Sequence, residues 1–273
     1  MLRFAPSRRA GYAASIGGAV AAPSTPAWAN TYSLAFDGTN DHLVVANHDD
    51  FSFGDGSTTD TPFSVSAWIN RPSTGTFRIL WKGSATVREW GFTVQSNDTI
   101  GMLMYDGGTG APYIYTRTVG AAPVVPTGQW VHLAATYDGS EDGPGMEIYM
   151  DGALLASEHP DSGVYSAMHN TTSPLTIGGW RTLESGNETY APGKIDDVAI
   201  WSVELDADAI TAIYNSGAPT DLTTNAGNYD NSSSLIGYWR MEENTGTTVA
   251  DSSTNSHTAT LANGPTFSTD VPS

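Results

Sequence analysis

The 273-residue sequence contains no cysteine, so neither a disulfide framework nor a thiolate metal site can be written for it. Positive charge is scarce. Eleven Lys and Arg stand against 29 Asp and Glu, a formal net charge of −18. A body so charged repels nucleic acid and anionic membranes, and neither is expected as a partner. No apolar run reaches the roughly 20 residues of a spanning helix, so membrane insertion is not expected. The strand–helix alternation of a parallel α/β sheet is also missing.

What is present is turn chemistry and aromatic residues: 29 Gly, 15 Pro, 8 Trp and 12 Tyr. Short alternating runs recur between turn signals, as in an all-β sandwich or barrel. "YSLAFDG" is followed across Gly38-Thr39-Asn40 by "DHLVVAN". "FSVSAWI" places Phe63, Val65, Ala67 and Ile69 on one face. "FRILWKG", "WGFTVQS", "TIGMLMYDG", "APYIYTRTV", "QWVHLAATYDG", "MEIYMDGALL", "SPLTIGGW" and "KIDDVAIW" continue the series. Asp151-Gly152 predicts a two-residue hairpin turn of the primed type. One helix is expected over "LDADAITAIYNSG", with Asp206 as N-cap, Leu205 and Ile210 as a hydrophobic staple and Gly217 as the stop.

Residues 1–31 have a different character. Arg3, Arg8 and Arg9 all precede the first acid, Asp37, in a setting of Ala, Gly and Pro. Two readings stand. A basic start, a weakly apolar middle and "AWA" before Asn30 fit an export signal, with Arg8-Arg9 as a twin-arginine pair. The alternative is a retained arm with too few large apolar residues for a core, ordered only on an acidic partner.

Taken in order, "FDGTNDHLVV", "FSVSAWI", "WVHLAATYDG", "MEIYMDGALL", "GKIDDVAIW" and "AITAIYNSG" resemble the laminin-G-like, concanavalin A-like jelly rolls, a group that includes the pentraxins. The resemblance implies two antiparallel sheets packed face to face, with residues 32–273 as one domain. It does not imply one function, because this fold hosts lectins, adhesion modules and glycosidases. "LIGYWRMEENTGTTVADSSTNSHTATLANGPTF", residues 235–267, resembles the cassette that usually precedes the FDG strand in these domains. Here it comes last, and it is expected to supply closing strands of the same sandwich.

For chemistry, hydrolysis needs a carboxylate pair. Glu147, Tyr149 and Asp151 are the nearest approach, with the middle acid missing and Asp151 claimed by its turn. Asp196 and Asp197 are adjacent and are expected to point to opposite faces. The six histidines show no metal spacing. No catalysis is expected. A calcium ion is the expected cofactor of the loop "GGWRTLESGNETYAPGKIDD": Glu184, Asn187 and Glu188 match a calcium-ligating loop of pentraxins by position, with Asp196 beyond. A second pentraxin ligand pair falls near Arg88-Glu89, where an arginine cannot ligate. Asp41 is a separate calcium candidate, and a plain solvated acidic loop is the alternative. Trp180, Arg181 and Tyr190 flank the same loop and suit a sugar platform; otherwise Trp180 closes the sandwich edge. The expected partners are therefore glycans and, through the arm, virion structural proteins; a homo-oligomer is an open alternative. The expected setting is a virion surface, as a phage decoration or fibre component. The alternative is a secreted or cell-surface bacterial polysaccharide-binding module.

Overall fold

The computed structural model describes residues 28–84, 86–119, 124–180 and 189–273. The arm up to residue 27 and the loop 181–188 lie outside them.

In chain order the strands are β1 (Ser33–Asp37), β2 (His42–Val45), β3 (Phe63–Asn70), β4 (Phe77–Gly83), β5 (Arg88–Val94) and β6 (Ile100–Tyr105). Then come β7 (Tyr113–Thr118), β8 (Val131–Tyr137), β9 (Met146–Met150), β10 (Ala153–Leu154), β11 (Ser157–Glu158), β12 (Leu175–Ile177), β13 (Gly179–Trp180) and β14 (Thr189–Tyr190). The long β15 (Pro192–Trp201) precedes the helix α1 (Ala207–Tyr214), and β16 (Leu235–Trp239), β17 (Thr248–Val249), β18 (Ala259–Ala262) and β19 (Thr266–Ser268) close the chain.

Among the described residues these form two large antiparallel sheets. Eight strands run β10-β9-β8-β3-β15-β1-β19, with β16 also on β15. Nine strands run β11-β7-β6-β5-β4-β12-β2-β18-β17. β13 and β14 pair separately. This is the two-sheet sandwich that the alternating runs predict. Phe63, Val65, Ala67 and Ile69 of β3 face Leu43, Phe92, Met102 and Ile177 of the other sheet in one buried core. Each alternation of apolar and small or polar residues puts one face of a strand in that core.

Local chemistry sets the connections. Asp151 (φ 50°) and Gly152 (φ 78°) both take the left-handed conformation that a primed hairpin turn requires. The Asp206 carboxylate accepts the Ala209 amide at 2.8 Å and starts α1. The helix ends at Asn215, left-handed at φ 47°, two residues earlier than the Gly217 stop expected from sequence. Asparagine tolerates that conformation better than most residues, so no glycine is needed.

The last segment is woven into both sheets. β16 pairs with β15 (Ala199 with Tyr238), β18 with β2 (Thr260 with Val44) and β19 with β1 (Leu34 with Phe267). Trp239 and Met241 are buried in the central core, and the Trp239 indole donates to the His257 carbonyl at 2.8 Å. Strict alternation would put Leu235 on Trp239's side. A register shift opposite Ile200 and Trp201 breaks the alternation, and Leu235 packs on the outer face instead.

Candidate functional site

The outer face of the nine-stranded sheet carries a groove of about 530 Å³. Its walls come from outward positions of β5, β6 and β7, whose alternate residues Met102, Met104 and Ile114 are buried in the core. Facing out are Tyr105, Tyr113, Tyr115, Arg88 and Arg117, with Gln95, Ser96 and Asn97 at one end. Tyr105 and Tyr113 have ring centroids 5.8 Å apart. Trp81 lies beside Tyr105 at 6.0 Å and beneath Trp180 at 4.7 Å.

Two glycines make this surface flat. A Cβ at Gly91 would stand 2.3 Å from the Trp81 ring, and one at Gly101 would stand 2.7 Å from the Tyr115 ring. Neither fits without displacing the ring, so the absence of side chains on these outward positions lets the rings lie against the sheet. Guanidinium groups sit on the rings: Arg78 and Arg88 lie 5.1 and 5.5 Å from the Trp180 ring, Arg88 lies 5.3 Å from Tyr105 and Arg117 lies 5.8 Å from Tyr115. Burial pushes the phenols of Tyr105 and Tyr115 up, so both remain O–H donors. No carboxylate is among the residues lining the groove, and Glu158, beside it, is paired with Arg117 at 2.7 Å.

Of the residues singled out from sequence, Trp180 belongs to this surface. Thr189, its cross-strand partner, accepts from Arg78 Nε at 2.9 Å on the same side. Tyr190 is turned away from it. It pairs with Gly179, is buried, and its ring lies 5.6 Å from His42. Arg181, Glu184, Asn187 and Glu188 lie outside the described residues. Asp41 is buried under the FDG turn, where its carboxylate accepts the Asp37 amide at 3.0 Å; Asp37 in turn accepts from Thr39 at 2.7 Å. It braces a turn and is not brought to Asp196.

Asp196 lies on the eight-stranded sheet, and its relation to Asp197 differs from simple alternation. Ile195 and Val198 are both core residues, so two residues lie between successive inward positions. Asp197 takes φ 44°, and pairing with β3 shifts register between Asp196 and Ala199. This bulge puts both carboxylates on the outer side, correcting the opposite faces expected for adjacent strand residues. The Asp197 amide donates to Asp196 Oδ1 at 3.0 Å, and Asn30 Nδ2 donates to Asp196 Oδ2 at 3.0 Å. Tyr238 Oη donates to Asp197 Oδ1 at 2.5 Å, while Asp197 Oδ2 is buried without a partner. Burial pushes both carboxyl groups up, Asp197 to about 7, and the neighbouring Asp197 charge adds to the rise at Asp196.

Sequence spacing hid one cluster. His48, Asp50 and His257 converge, with His257 Nε2 at 2.8 Å and His48 Nδ1 at 3.2 Å from Asp50 Oδ2. Among the described residues it is the one group of three with metal-ligating atoms so close. His48 Nδ1 already accepts the Asp50 amide, which caps a short helical turn. The group therefore works as a hydrogen-bonded clasp between the last segment and the body.

The groove residues Arg78, Arg88, Tyr105, Tyr113 and Tyr115 were not picked out from sequence. Their signal was available in "APYIYTRTV", where Tyr113, Tyr115 and Arg117 share the face opposite Ile114. What could not be read was how the consecutive strands β4 to β7 and the distant β13 align these faces side by side.

Residues 37–211 match the family profile described as the Concanavalin A-like lectin/glucanases superfamily. Mouse pappalysin-1 is 38% identical over 77 residues, 28% of this chain, and the human protein is 35% identical over 77 residues. In each case the match spans 4% of that protein's length. Among solved structures, a "putative carbohydrate binding protein" from Bacteroides ovatus superimposes with a TM-score of 0.57 at 20% identity, covering 89% of this chain and 61% of that one. The heptameric SAP-like pentraxin of Limulus polyphemus gives 0.47 at 14% identity, covering 88% and 96%. The profile covers more than half of the residues: the chain belongs to the concanavalin A-like lectin/glucanases superfamily.

Proposed function

We propose that this domain is a non-catalytic recognition module and that its ligand is a glycan seated in the groove of the nine-stranded sheet. The observation that carries the reading is the surface itself: half-exposed Trp180 and Tyr113, braced by Trp81, Tyr105 and Tyr115, with guanidinium and amide groups between them. Sugar C–H faces stack on such rings, and their hydroxyls need donors and acceptors at the rim. Glycoside hydrolysis would need two carboxyl groups about 5 to 9 Å apart across the bond. The described lining supplies none, which supports binding without turnover. The description of the Bacteroides ovatus neighbour agrees with this reading.

The setting follows from the fate of the basic arm. On a virion, the retained arm would hold the module to an acidic partner and leave the groove outward. In an exported polysaccharide-binding module it would be removed. Intact-mass measurement of the native protein distinguishes the two.

The test of the groove is binding of the full chain to an array of immobilised oligosaccharides, repeated with Trp180→Ala and Tyr113→Ala. Each variant should remain folded with at most a small loss of stability and lose about tenfold or more in affinity, the worth of one well-placed ring. Unchanged binding in both variants would move the site elsewhere.

A further inference from the structure

The groove is cationic on a strongly acidic protein, and this narrows its ligand. The chain's net charge is −18, yet Arg78, Arg88 and Arg117 converge on one surface. Elsewhere in the described residues, body cations are matched to carboxylates: Arg71 to Asp98 at 2.6 Å, Lys82 to Glu89 at 3.2 Å and Lys194 to Asp270 at 2.7 Å. Arg240, far from the groove, donates to the Ala29 carbonyl and lies over the Trp28 ring. In the groove Arg117 has Glu158, but Arg78 and Arg88 have no carboxylate partner among the described residues. Arg78 spends its donors on the hydroxyls of Thr189 and Thr93 at 2.9 and 3.1 Å. Arg88 has a buried Nε without a hydrogen-bond partner among the described residues, and its guanidinium also bonds the Tyr105 hydroxyl. The groove-facing part of that guanidinium can donate to an arriving anion, and a charge-assisted bond there is stronger than one to a neutral acceptor. The Arg88 guanidinium lies 5.5 Å from the Trp180 ring and 5.3 Å from the Tyr105 ring, contacts that restrict it before capture, so less side-chain entropy is lost.

We propose that the groove selects acidic saccharides. The sugar ring would lie on the tyrosine and tryptophan faces, and its acid group, a carboxylate or a sulfate, would be held by Arg88 with Arg78 behind it. The proposal rests on the reading of this groove as a glycan seat. The overall negative charge opposes a distant anion, but that field is screened beyond about 8 Å at physiological salt, whereas the contact at Arg88 is local.

The experiment uses the full chain on an array with neutral, carboxylated and sulfated oligosaccharides, in about 0.05 M and about 0.5 M salt. The expected hits are acidic. Titration then compares a uronate oligosaccharide that binds, or a sulfated one, with its own neutral derivative, methyl-esterified or desulfated. The charged form should bind about 10- to 100-fold more tightly, the worth of a charge-assisted hydrogen-bond pair. Arg88→Gln should erase that ratio without changing the melting temperature, and Arg88→Lys should restore part of it. Hits confined to neutral glycans, or a charged-to-neutral ratio unchanged in Arg88→Gln, would overturn the acidic selectivity and leave the glycan seat standing. An array with no hits would overturn both.

Discussion

The two sheets of this sandwich share one core but end in different outer faces. The eight-stranded sheet is roofed. Leu205, Ala209, Ile210 and Ile213 around α1, with Leu222 and Tyr229 of the segment between α1 and β16, bury Ala199, Trp201 and Tyr238 under a second apolar cluster. The Trp201 indole donates to Tyr229 Oη at 2.9 Å, and Tyr229 Oη donates to the Leu222 carbonyl at 2.8 Å, so the polar atoms of these two rings are satisfied. The nine-stranded sheet has, among the described residues, no such roof over its Tyr113 or over Trp180 of the flanking β13. It carries aromatic rings at comparable density and adds arginines where the other face has aliphatic residues. Aromatics under a roof contribute to stability by burial. Aromatics left open, flattened over Gly91 and Gly101 and interleaved with charge, hold apolar surface that folding alone has not used.

The largest test of this contrast removes the last segment. Ending the chain at Gly217 would take β16 from β15, β18 from β2 and β19 from β1, and Trp239 from the core. Edges of both sheets would open at once. That fragment should be insoluble or unfolded, and a soluble fragment with an unchanged melting temperature would make the segment an appendage.

Next comes a matched pair of tryptophan deletions. Trp201→Ala, under the roof, should cost about 3–5 kcal/mol in denaturant unfolding, as for other buried tryptophans. Trp180→Ala, on the open face, should cost well under that while weakening glycan binding. Equal losses of stability would mean that Trp180 is a structural residue.

Gly91→Ala probes how flat the open face must be. The added methyl, 2.3 Å from the Trp81 ring, should force the ring off the sheet and cost about 1–3 kcal/mol. Binding should fall with it. A variant with native stability and affinity would show that the ring has room to move.

The smallest expected effect distinguishes the roofed face by its charge. Asp197 binds its proton more tightly folded, at about 7, than an unfolded aspartate at about 3.9. Protonation therefore favours the fold, and stability should rise as pH falls from about 8 to about 6.5. Below that, buried His132, held down to about 3, must charge on unfolding and opposes the gain. Asp197→Asn should flatten the upper slope in chelator. If calcium occupies the Asp196–Asp197 bulge, millimolar calcium should raise the melting temperature at pH 8 and flatten the same slope. Identical curves with calcium and chelator would remove the ion from this pair.

Much of this was legible in the residues themselves. Alternation in "FSVSAWI" and its companions named the inward faces, Asp151-Gly152 its turn and Asp206 the helix start, because each depends on neighbours within a few positions. The aromatic and arginine content of single strands was equally visible. Less legible were departures from strict alternation. The bulge that brings Asp196 and Asp197 to one side, and the shift that sends Leu235 outward, depend on register against another strand. Tyr190 had the right residue type beside the right loop, but its pairing with Gly179 turned it toward His42.

The sequence by itself determined an acidic, cysteine-free sandwich with a particular inward face on each strand, since period-two patterning and turn residues act locally. Only the tertiary structure decided which outward faces would be roofed and which left open. It also decided that Arg78, Arg88 and the tyrosines of two strands would meet on one surface, and that His48 would meet His257. Those outcomes rest on long-range pairing across both sheets. The packing energy that drives the pairing belongs to the core, and the residues that form the groove are carried to their places by strands they do not themselves select.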